Sequence, residues 1–198
     1  MQKVRWFVWL GGLLALGGLT ALLFYPKQTI PGTVVEVVIT NIFKTNGIIW
    51  KMGDTKPFTG DLLDLYPDGK ILSRSEIKKG KLQGVSRGYY TNAVLQIQEH
   101  FVGGVSDGLR EKWYPDGKLQ MRGMIVAGEF HGDFSRWHTN GQLSEVLKMN
   151  KGKADGEAFS YYPSGYRKSF ARITAGDLSS QVLWKDGELK GSEPIPSK

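Results

Sequence analysis

Three histidines, His100, His131 and His138, are the side chains of this chain that are best suited to acid–base chemistry or to metal binding. None has a second histidine at the spacing of a metal site, and none lies in a motif with a carboxylate. His138 occupies a position that holds tyrosine in other copies of a repeated segment, which favours a packing role. The histidines therefore predict neither a catalytic residue nor a metal site.

Two aspartates and many glycines are the other residues that could serve chemistry. Asp68 and Asp116 could be read as paired acids, but each stands between Tyr-Pro and glycine, so turn formation explains both. A phosphate-binding glycine loop needs a lysine and a following helix, and no helical pattern follows these glycines. The chain has no cysteine, which excludes thiol chemistry and disulfides. The sequence predicts a protein that is not an enzyme and that uses no cofactor.

Large aromatic residues recur at one position of the repeated segment. They are Tyr89, Trp113, Trp137 and Tyr161, with Leu65 at the same position one copy earlier. Strand alternation predicts that they form a continuous stripe on one side of a sheet. Such a stripe is either ordinary packing or a partner surface, and a single-layer sheet leaves part of it exposed. These four aromatic residues are the candidate partner-binding residues.

The elements that position the stripe are set by three series of glycines with a common step of 24 residues. The series are Gly60, Gly84, Gly108, Gly132 and Gly156; Gly80, Gly104, Gly128, Gly152 and Gly176; and Gly69, Gly117, Gly141 and Gly165, with a gap at Ala93. A fixed period of this length indicates stacked repeats. Repeat arrays build extended surfaces from small units, and such surfaces usually bind partners.

Each repeated unit is typical of a β-hairpin. In Tyr-Pro-Asp-Gly, proline presets φ at the first central position of a turn, aspartate suits the second, and glycine accepts positive φ. The structural turn position is held by Gly69, Gly117, Gly141 and Gly165. Ala93 replaces it once, and because asparagine tolerates positive φ we expect that turn to re-form one residue earlier, at Asn92.

Strand alternation also assigns the other apolar positions. Beside the tight turn, on the side opposite the stripe, we expect Tyr66, Tyr90, Tyr114, His138 and Tyr162. The returning strands carry an apolar row of Ile77, Phe101, Ile125, Met149 and Ile173. The fold class predicted for the repeats is all-β, an elongated antiparallel meander of 24-residue hairpins, with residues 45–50 as a degenerate first repeat.

The apolar run from Trp6 to Tyr25 predicts one transmembrane helix before the meander. Twenty helical residues rise about 30 Å, which matches a bilayer core, whereas the apolar part of a cleaved signal peptide is shorter. The predicted domains are a membrane anchor (1–25), a linker (26–32), the repeat domain (33–190) and a disordered tail (191–198). Lys3 and Arg5 before the run predict that the C-terminal domain is exported.

The repeated unit resembles the MORN repeat, in a bacterial variant with two glycines, a tyrosine and a third glycine at fixed spacing. The resemblance is carried by Gly80-x₃-Gly84…Tyr90, Gly104-x₃-Gly108…Tyr114-Pro115-Asp116-Gly117 and Gly152-x₃-Gly156…Tyr162-Pro163-Ser164-Gly165, and it covers about residues 47–189. It implies hairpin sheets that serve as scaffolds or as lipid- or protein-contact surfaces. The bacterial group is similar to antitoxins of the YwqK type, which implies binding to a partner. Ala93, His138 and the membrane anchor depart from the pattern.

These patterns predict a membrane-anchored scaffold whose exported sheet docks a partner protein in the cell envelope. The predicted location is the bacterial inner membrane, with the repeat domain periplasmic or extracytoplasmic. Two alternatives stay open: a module that binds glycan or cell-wall polymer, and an antitoxin-like protein that neutralises its partner. The net charge of +7 permits contact with anionic lipid, and no nucleic-acid motif is present.

Overall fold

The computed structural model describes residues 35–190, which form an all-β fold. These residues contain fifteen strands and one 3₁₀ turn, Ile39–Asn41. The strands are β1 (Glu36–Val38), β2 (Ile42–Thr45), β3 (Ile48–Lys51), β4 (Gly60–Leu65), β5 (Ile71–Lys78), β6 (Lys81–Tyr89), β7 (Leu95–Val102), β8 (Val105–Ser106), β9 (Gly108–Trp113), β10 (Leu119–Val126), β11 (Glu129–Trp137), β12 (Leu143–Asn150), β13 (Lys153–Tyr161), β14 (Arg167–Thr174) and β15 (Asp177–Leu183).

Thirteen of these strands belong to one sheet. Its order is β1-β4-β5-β6-β7-β9-β10-β11-β12-β13-β14-β15, with β8 paired to β7 beside this path. From β4 onwards the strands run antiparallel to their neighbours, as a meander requires. β1 differs, because it lies parallel to β4 with Val37 beside Leu62.

The predicted fold class is wrong in one component, the transmembrane helix. Residues 35–190 contain no α-helix and no helical segment that is long and apolar enough to cross a membrane. In this part of the chain glycine turns interrupt every apolar run well before the roughly 20 residues that a spanning helix needs. The run from Trp6 to Tyr25, the predicted linker and the predicted tail lie outside the described residues. The fold class that the structure supports is all-β.

The tight turns share one hydrogen-bond pattern. In the turn between β9 and β10, Tyr114 N donates to Lys118 O at 2.8 Å and Gly117 N donates to Tyr114 O at 2.9 Å. The same two bonds recur in the other repeats, and the turn glycines have φ of +83° (Gly69), +84° (Gly117), +87° (Gly141) and +88° (Gly165). This is the region that glycine enters without steric cost, which explains the third glycine series.

The turn at Ala93 does not re-form at Asn92, so that sequence expectation is wrong. Ala93 itself has φ of +63°, and its N–H donates to Tyr90 O at 2.8 Å, as glycine does elsewhere. Asn92 keeps the aspartate role, because its Oδ1 accepts from Val94 N at 3.1 Å while its Nδ2 donates to Pro115 O at 2.9 Å. Bonds within the turn, and one bond to the next tight turn, thus hold an alanine in a conformation that favours glycine.

Replacing Ala93 by glycine should raise the free energy of unfolding by up to about 1 kcal/mol. Alanine at positive φ costs about 1 kcal/mol, and the greater entropy of glycine in the unfolded chain offsets part of that gain. Urea denaturation measures the change. Gly117→Ala is the matched control and should destabilise, since its new Cβ would lie 3.9 Å from Val94 and only φ would be strained. A lower midpoint for Ala93→Gly would contradict the observed turn.

The other ends of the hairpins close through two-residue turns in which both residues have positive φ. These turns are Lys79-Gly80, Gly103-Gly104, Ala127-Gly128, Lys151-Gly152 and Ala175-Gly176. This is the type I′ geometry, whose twist matches that of the flanking strands. The glycine N–H also donates to a carbonyl one repeat earlier, as Gly128 N does to Ser106 O at 2.8 Å. The second glycine series therefore forms turns and links repeats.

The strand register divides the sheet into two faces. The core face carries the predicted apolar row, and each row residue lies opposite a glycine of the first series: Ile77 and Gly60, Phe101 and Gly84, Ile125 and Gly108, Met149 and Gly132, Ile173 and Gly156. The open face carries charged residues such as Arg74, Glu111 and Arg122. Most buried apolar strand residues lie on the core face, and Phe170 is an exception on the open face.

The central core is a cluster of Met121, Phe134 and Leu147 on neighbouring strands. Phe134 meets Phe130 edge to face, with ring centroids 5.1 Å apart. Gly123 fits beneath them because a Cβ there would lie 2.9 Å from both rings. We expect Phe134→Ala to lower the free energy of unfolding by about 3–5 kcal/mol, since it removes a buried ring and leaves a cavity. Calorimetry measures the loss, and a change below about 1 kcal/mol would contradict this position of the core.

A second cluster closes the N-terminal end of the sheet. Val37, Phe58 and Ile77 form it, and Ile49 of the β2–β3 hairpin packs against them. Ile49 N donates to Gly80 O at 2.9 Å, and Phe58 N donates to Ile49 O at 3.0 Å. This hairpin is a separate two-stranded sheet rather than a degenerate first repeat. Its Asn46-Gly47 turn has two positive φ values, and its apolar residues cover the end of the main sheet.

Candidate functional site

The four candidate partner-binding residues end equivalent strands just before the tight turns. Tyr89 ends β6, Trp113 ends β9, Trp137 ends β11 and Tyr161 ends β13. Alternation along β9 places Trp113 on the side of Glu111, which is the open face, and the other three follow the same rule. The structure therefore brings the four residues to one face, as the stripe prediction requires.

These aromatic residues alternate with apolar partners on the returning strands. Leu95, Leu119 and Leu143 lie opposite Tyr89, Trp113 and Trp137, whereas Arg167 lies opposite Tyr161. Consecutive aromatic residues are two strands apart, about 10 Å, which is too far for ring stacking. We call this row of four aromatic residues and three leucines the aromatic belt. All seven side chains are half-buried, so the belt is neither a closed core nor fully exposed.

A ladder of side-chain hydrogen bonds holds the belt from behind. The tyrosines that follow Leu65, Tyr89, Trp113 and Tyr161 reach the next repeat, and each donates its hydroxyl to the backbone carbonyl of a residue 22 or 23 positions later. The bonds run from Tyr66 to Tyr89 (2.7 Å), Tyr90 to Trp113 (2.8 Å), Tyr114 to Trp137 (2.8 Å) and Tyr162 to Trp184 (3.0 Å). We call these bonds the tyrosine ladder, and they fix the main chain of the belt.

His138 completes the ladder in the repeat that lacks tyrosine. Its Nε2 lies 2.9 Å from the backbone oxygen of Tyr161, the distance of a hydrogen bond that the imidazole donates. The histidine thus replaces a phenol as a donor to the same acceptor. This geometry gives His138 a structural role, in line with its position in the repeat.

The ladder tyrosine, the tight turn and the paired glycines recur together from one hairpin to the next. A family model described as a MORN repeat variant matches residues 106–124, which span β9, its tight turn and most of β10. The chain carries a MORN repeat. The other hairpins repeat its hydrogen-bond pattern at steps of 24 residues. Among curated proteins, none matches the chain.

The turn aspartates Asp68 and Asp116 are surface residues with a structural role. Hydrogen bonds from the Lys118 side chain and backbone hold the pKa of Asp116 below its ordinary value, and Lys70 does the same to the pKa of Asp68. Lys118 Nζ also lies 3.0 Å from the Asp116 carboxylate. A lowered pKa keeps a carboxyl ionised, whereas a general acid needs a raised one. Within residues 35–190, no group of three or more metal-binding side chains converges.

The C-terminal end of the belt borders an open cavity of about 560 Å³. Its lining is Gln142, Leu143, Tyr161, Ser164, Gly165, Tyr166 and Lys190. The cavity combines a belt tyrosine with amide and hydroxyl groups.

The sequence analysis missed an exposed apolar patch around the β9–β10 hairpin. Its residues are Val102, Val105, Leu109, Met124 and Val126, which are 38% to 57% exposed. Val102 pairs with Val105, and Leu109 pairs with Met124. Comparison of equivalent positions in the repeats could have found the patch, because charged or polar residues occupy most of them elsewhere. We call these five residues the apolar patch.

Proposed function

We propose that this chain is a non-catalytic docking module that binds a partner protein on its aromatic belt. The observation that carries the proposal is the state of Trp113 and Trp137. Both indoles are half-buried on the open face, and no described element forms a second layer over them. Exposed aromatic side chains on a rigid surface are the usual anchors of protein interfaces.

The surroundings of the belt fit a protein partner. The tyrosine ladder fixes the belt backbone before binding, which lowers the entropic cost of ordering this surface when a partner binds. Ion pairs stand beside the belt on the same face, such as Arg122 Nη2 to Glu111 Oε1 at 2.7 Å and a closer pair between Arg74 and Asp61. An apolar centre with a charged border is the ordinary anatomy of such an interface.

A glycan is the second candidate ligand, and the cavity beside Tyr161 favours it. Tyr161 and Tyr166 offer rings, and Gln142 and Ser164 offer hydrogen-bonding groups in the same recess. Stacked sugars need this combination of flat apolar and polar groups. An antitoxin-like role is a variety of the protein-docking proposal in which binding inhibits the partner.

The experiment that separates these proposals is affinity capture on the immobilised full chain from an extract of its source cells. Protein docking predicts that capture disappears after protease treatment of the extract and persists when purified cell-wall polymer is added. Direct retention of the polymer, lost in Tyr161→Ala with Tyr166→Ala, would establish the glycan alternative instead. Fractionation of the full chain tests the predicted envelope location.

A further inference from the structure

The apolar patch breaks the charge pattern of the repeats. At the position of Val105 the other repeats carry Lys81, Glu129, Lys153 and Asp177, and at the position of Met124 they carry Glu76, His100, Lys148 and Arg172. At the position of Leu109 they carry Asp61, Val85, Asp133 and Glu157, and at the position of Val126 they carry Lys78, Val102, Asn150 and Thr174, of which Val102 belongs to the patch. The fold thus accepts polar residues at these places, and packing alone does not require apolar ones.

The five side chains form one continuous surface. Strand alternation places Val102, Leu109, Met124 and Val126 on the open face, and Val105 joins them as the partner of Val102. A Cβ on Gly128 would lie 3.8 Å from Val105, so the turn after Val126 touches the first valine pair. Exposed apolar surfaces of this kind mark binding sites in soluble domains.

Lysines stand on both sides of the patch. The hairpin before it ends in Lys78, Lys79 and Lys81, and a Cβ on Gly104 would lie 3.8 Å from Lys81. Lys78 and Lys81 are direct cross-strand partners, an arrangement of like charges that costs stability. The hairpin after it turns through Lys151 and Lys153, with Glu129 between that turn and the patch. The border is basic on the side of the earlier hairpin, whereas on the other side Glu129 is the direct partner of Val126 and Asp107 accepts from Ala127 N. The lysine pair is present despite a cost to folding.

We propose that the apolar patch and its lysine border dock an acidic segment of a partner protein that carries large apolar side chains. This inference rests on the proposed docking function and assigns a second site on the open face with its own partner chemistry. Apolar anchors would cover Leu109 and Met124, and carboxylates would meet Lys78 and Lys81. A second copy of this chain fits worse, since a two-fold contact would bring lysine borders together. A membrane fits worse because Leu109 and Met124 lie within strands and not at the turn tips.

The chemistry of the site can be tested without knowing the partner. A library of random 16-residue peptides displayed on phage is selected on the full chain. A variant of the chain competes for the peptides during selection. It carries Val105→Glu, Leu109→Asp, Met124→Lys and Val126→Asn, and each new residue is the one found 24 positions later in the sequence. Peptides retained by the original chain should contain more Asp and Glu than Lys and Arg, with at least two large apolar residues. Enrichment of basic peptides would overturn the proposal. A selection in which no peptide binds the original chain better than the variant would overturn it too.

A selected peptide then separates the two parts of the site. Its dissociation constant, measured by fluorescence anisotropy, should rise at least tenfold for the four-residue variant and at least threefold for Lys78→Gln with Lys81→Gln. The lysine variant should be at least as stable as the original chain, so weaker binding could not result from unfolding. Unchanged affinity in both variants would overturn the assignment.

Two further measurements address the other occupants. Vesicles of phosphatidylcholine with 30 mol% phosphatidylglycerol should not retain the chain through this patch, and patch-dependent retention without peptide selection would assign it to membranes. Sedimentation should show no self-association that the four-residue variant removes, and such self-association would assign the patch to a second copy. If no acidic, apolar peptide is selected while the aromatic belt still captures a partner, only this inference fails and the proposed function stands.

Discussion

The variant that replaces all four ladder tyrosines by phenylalanine should lose about 4 kcal/mol of unfolding free energy, because each deleted hydrogen bond contributes roughly 1 kcal/mol. The substitutions are Tyr66→Phe, Tyr90→Phe, Tyr114→Phe and Tyr162→Phe, whose hydroxyls donate to backbone carbonyls at 2.7 to 3.0 Å. The rings remain, so packing is preserved and the loss isolates the bonds between repeats. Urea denaturation of the full chain measures the effect.

The chain offers a matched control one residue away. Tyr89→Phe with Tyr161→Phe makes the same chemical change in the aromatic belt, where no hydroxyl hydrogen bond is found among the described residues. This pair should change the free energy of unfolding by less than about 0.5 kcal/mol, the usual range for such surface changes. Equal losses per tyrosine in both variants would show that the hydrogen bonds of the ladder do not contribute to the stability of the sheet.

Trp113→Ala with Trp137→Ala should reduce partner capture at least tenfold while the sheet stays folded. The two backbone carbonyls continue to accept from Tyr90 and Tyr114, so the substitution removes the indoles and leaves the ladder. Because both indoles are half-buried, each should cost well below the roughly 3–5 kcal/mol of a fully buried aromatic residue. Capture from extract and calorimetry on the same samples give both quantities.

The control for this pair is Tyr90→Phe with Tyr114→Phe. It weakens the ladder in the same repeats but keeps both indoles, so capture at low temperature should persist. The docking proposal would be contradicted if the tryptophan variant lost more stability than Phe134→Ala and still captured the partner. The two results together would show that the belt residues serve as core packing and not as a binding surface.

The periodic glycines predict the hairpins because the glycines of each series adopt positive φ, a conformation that glycine enters without steric cost. Gly117 sits at positive φ in the tight turn, and Gly128 sits at positive φ in the type I′ turn. Local turn chemistry failed at Ala93, where the bonds of the turn and the bond from Asn92 to Pro115 outweigh the conformational preference of alanine. At residues 45–50 the Asn46-Gly47 turn forms a hairpin as its residues predict, but the hairpin is a separate sheet that covers the end of the main sheet.

Half of the candidate site could be predicted from the sequence. The recurrence of Trp113 and Trp137 at one repeat position placed them on one face by alternation alone. The ladder behind them was not predicted, because a bond from Tyr90 to the carbonyl of Trp113 depends on how adjacent hairpins stack. The apolar patch was missed because a search for shared positions overlooks the repeat that differs.

The most direct test of the docking account is hydroxyl-radical labelling of the tryptophans in the full chain, with and without the captured partner. Trp113 and Trp137 should be oxidised in the free chain and strongly protected in the complex, while Trp184, outside the belt, keeps its rate. Equal oxidation of Trp113 and Trp137 in both states would contradict the account, because the partner would then bind elsewhere.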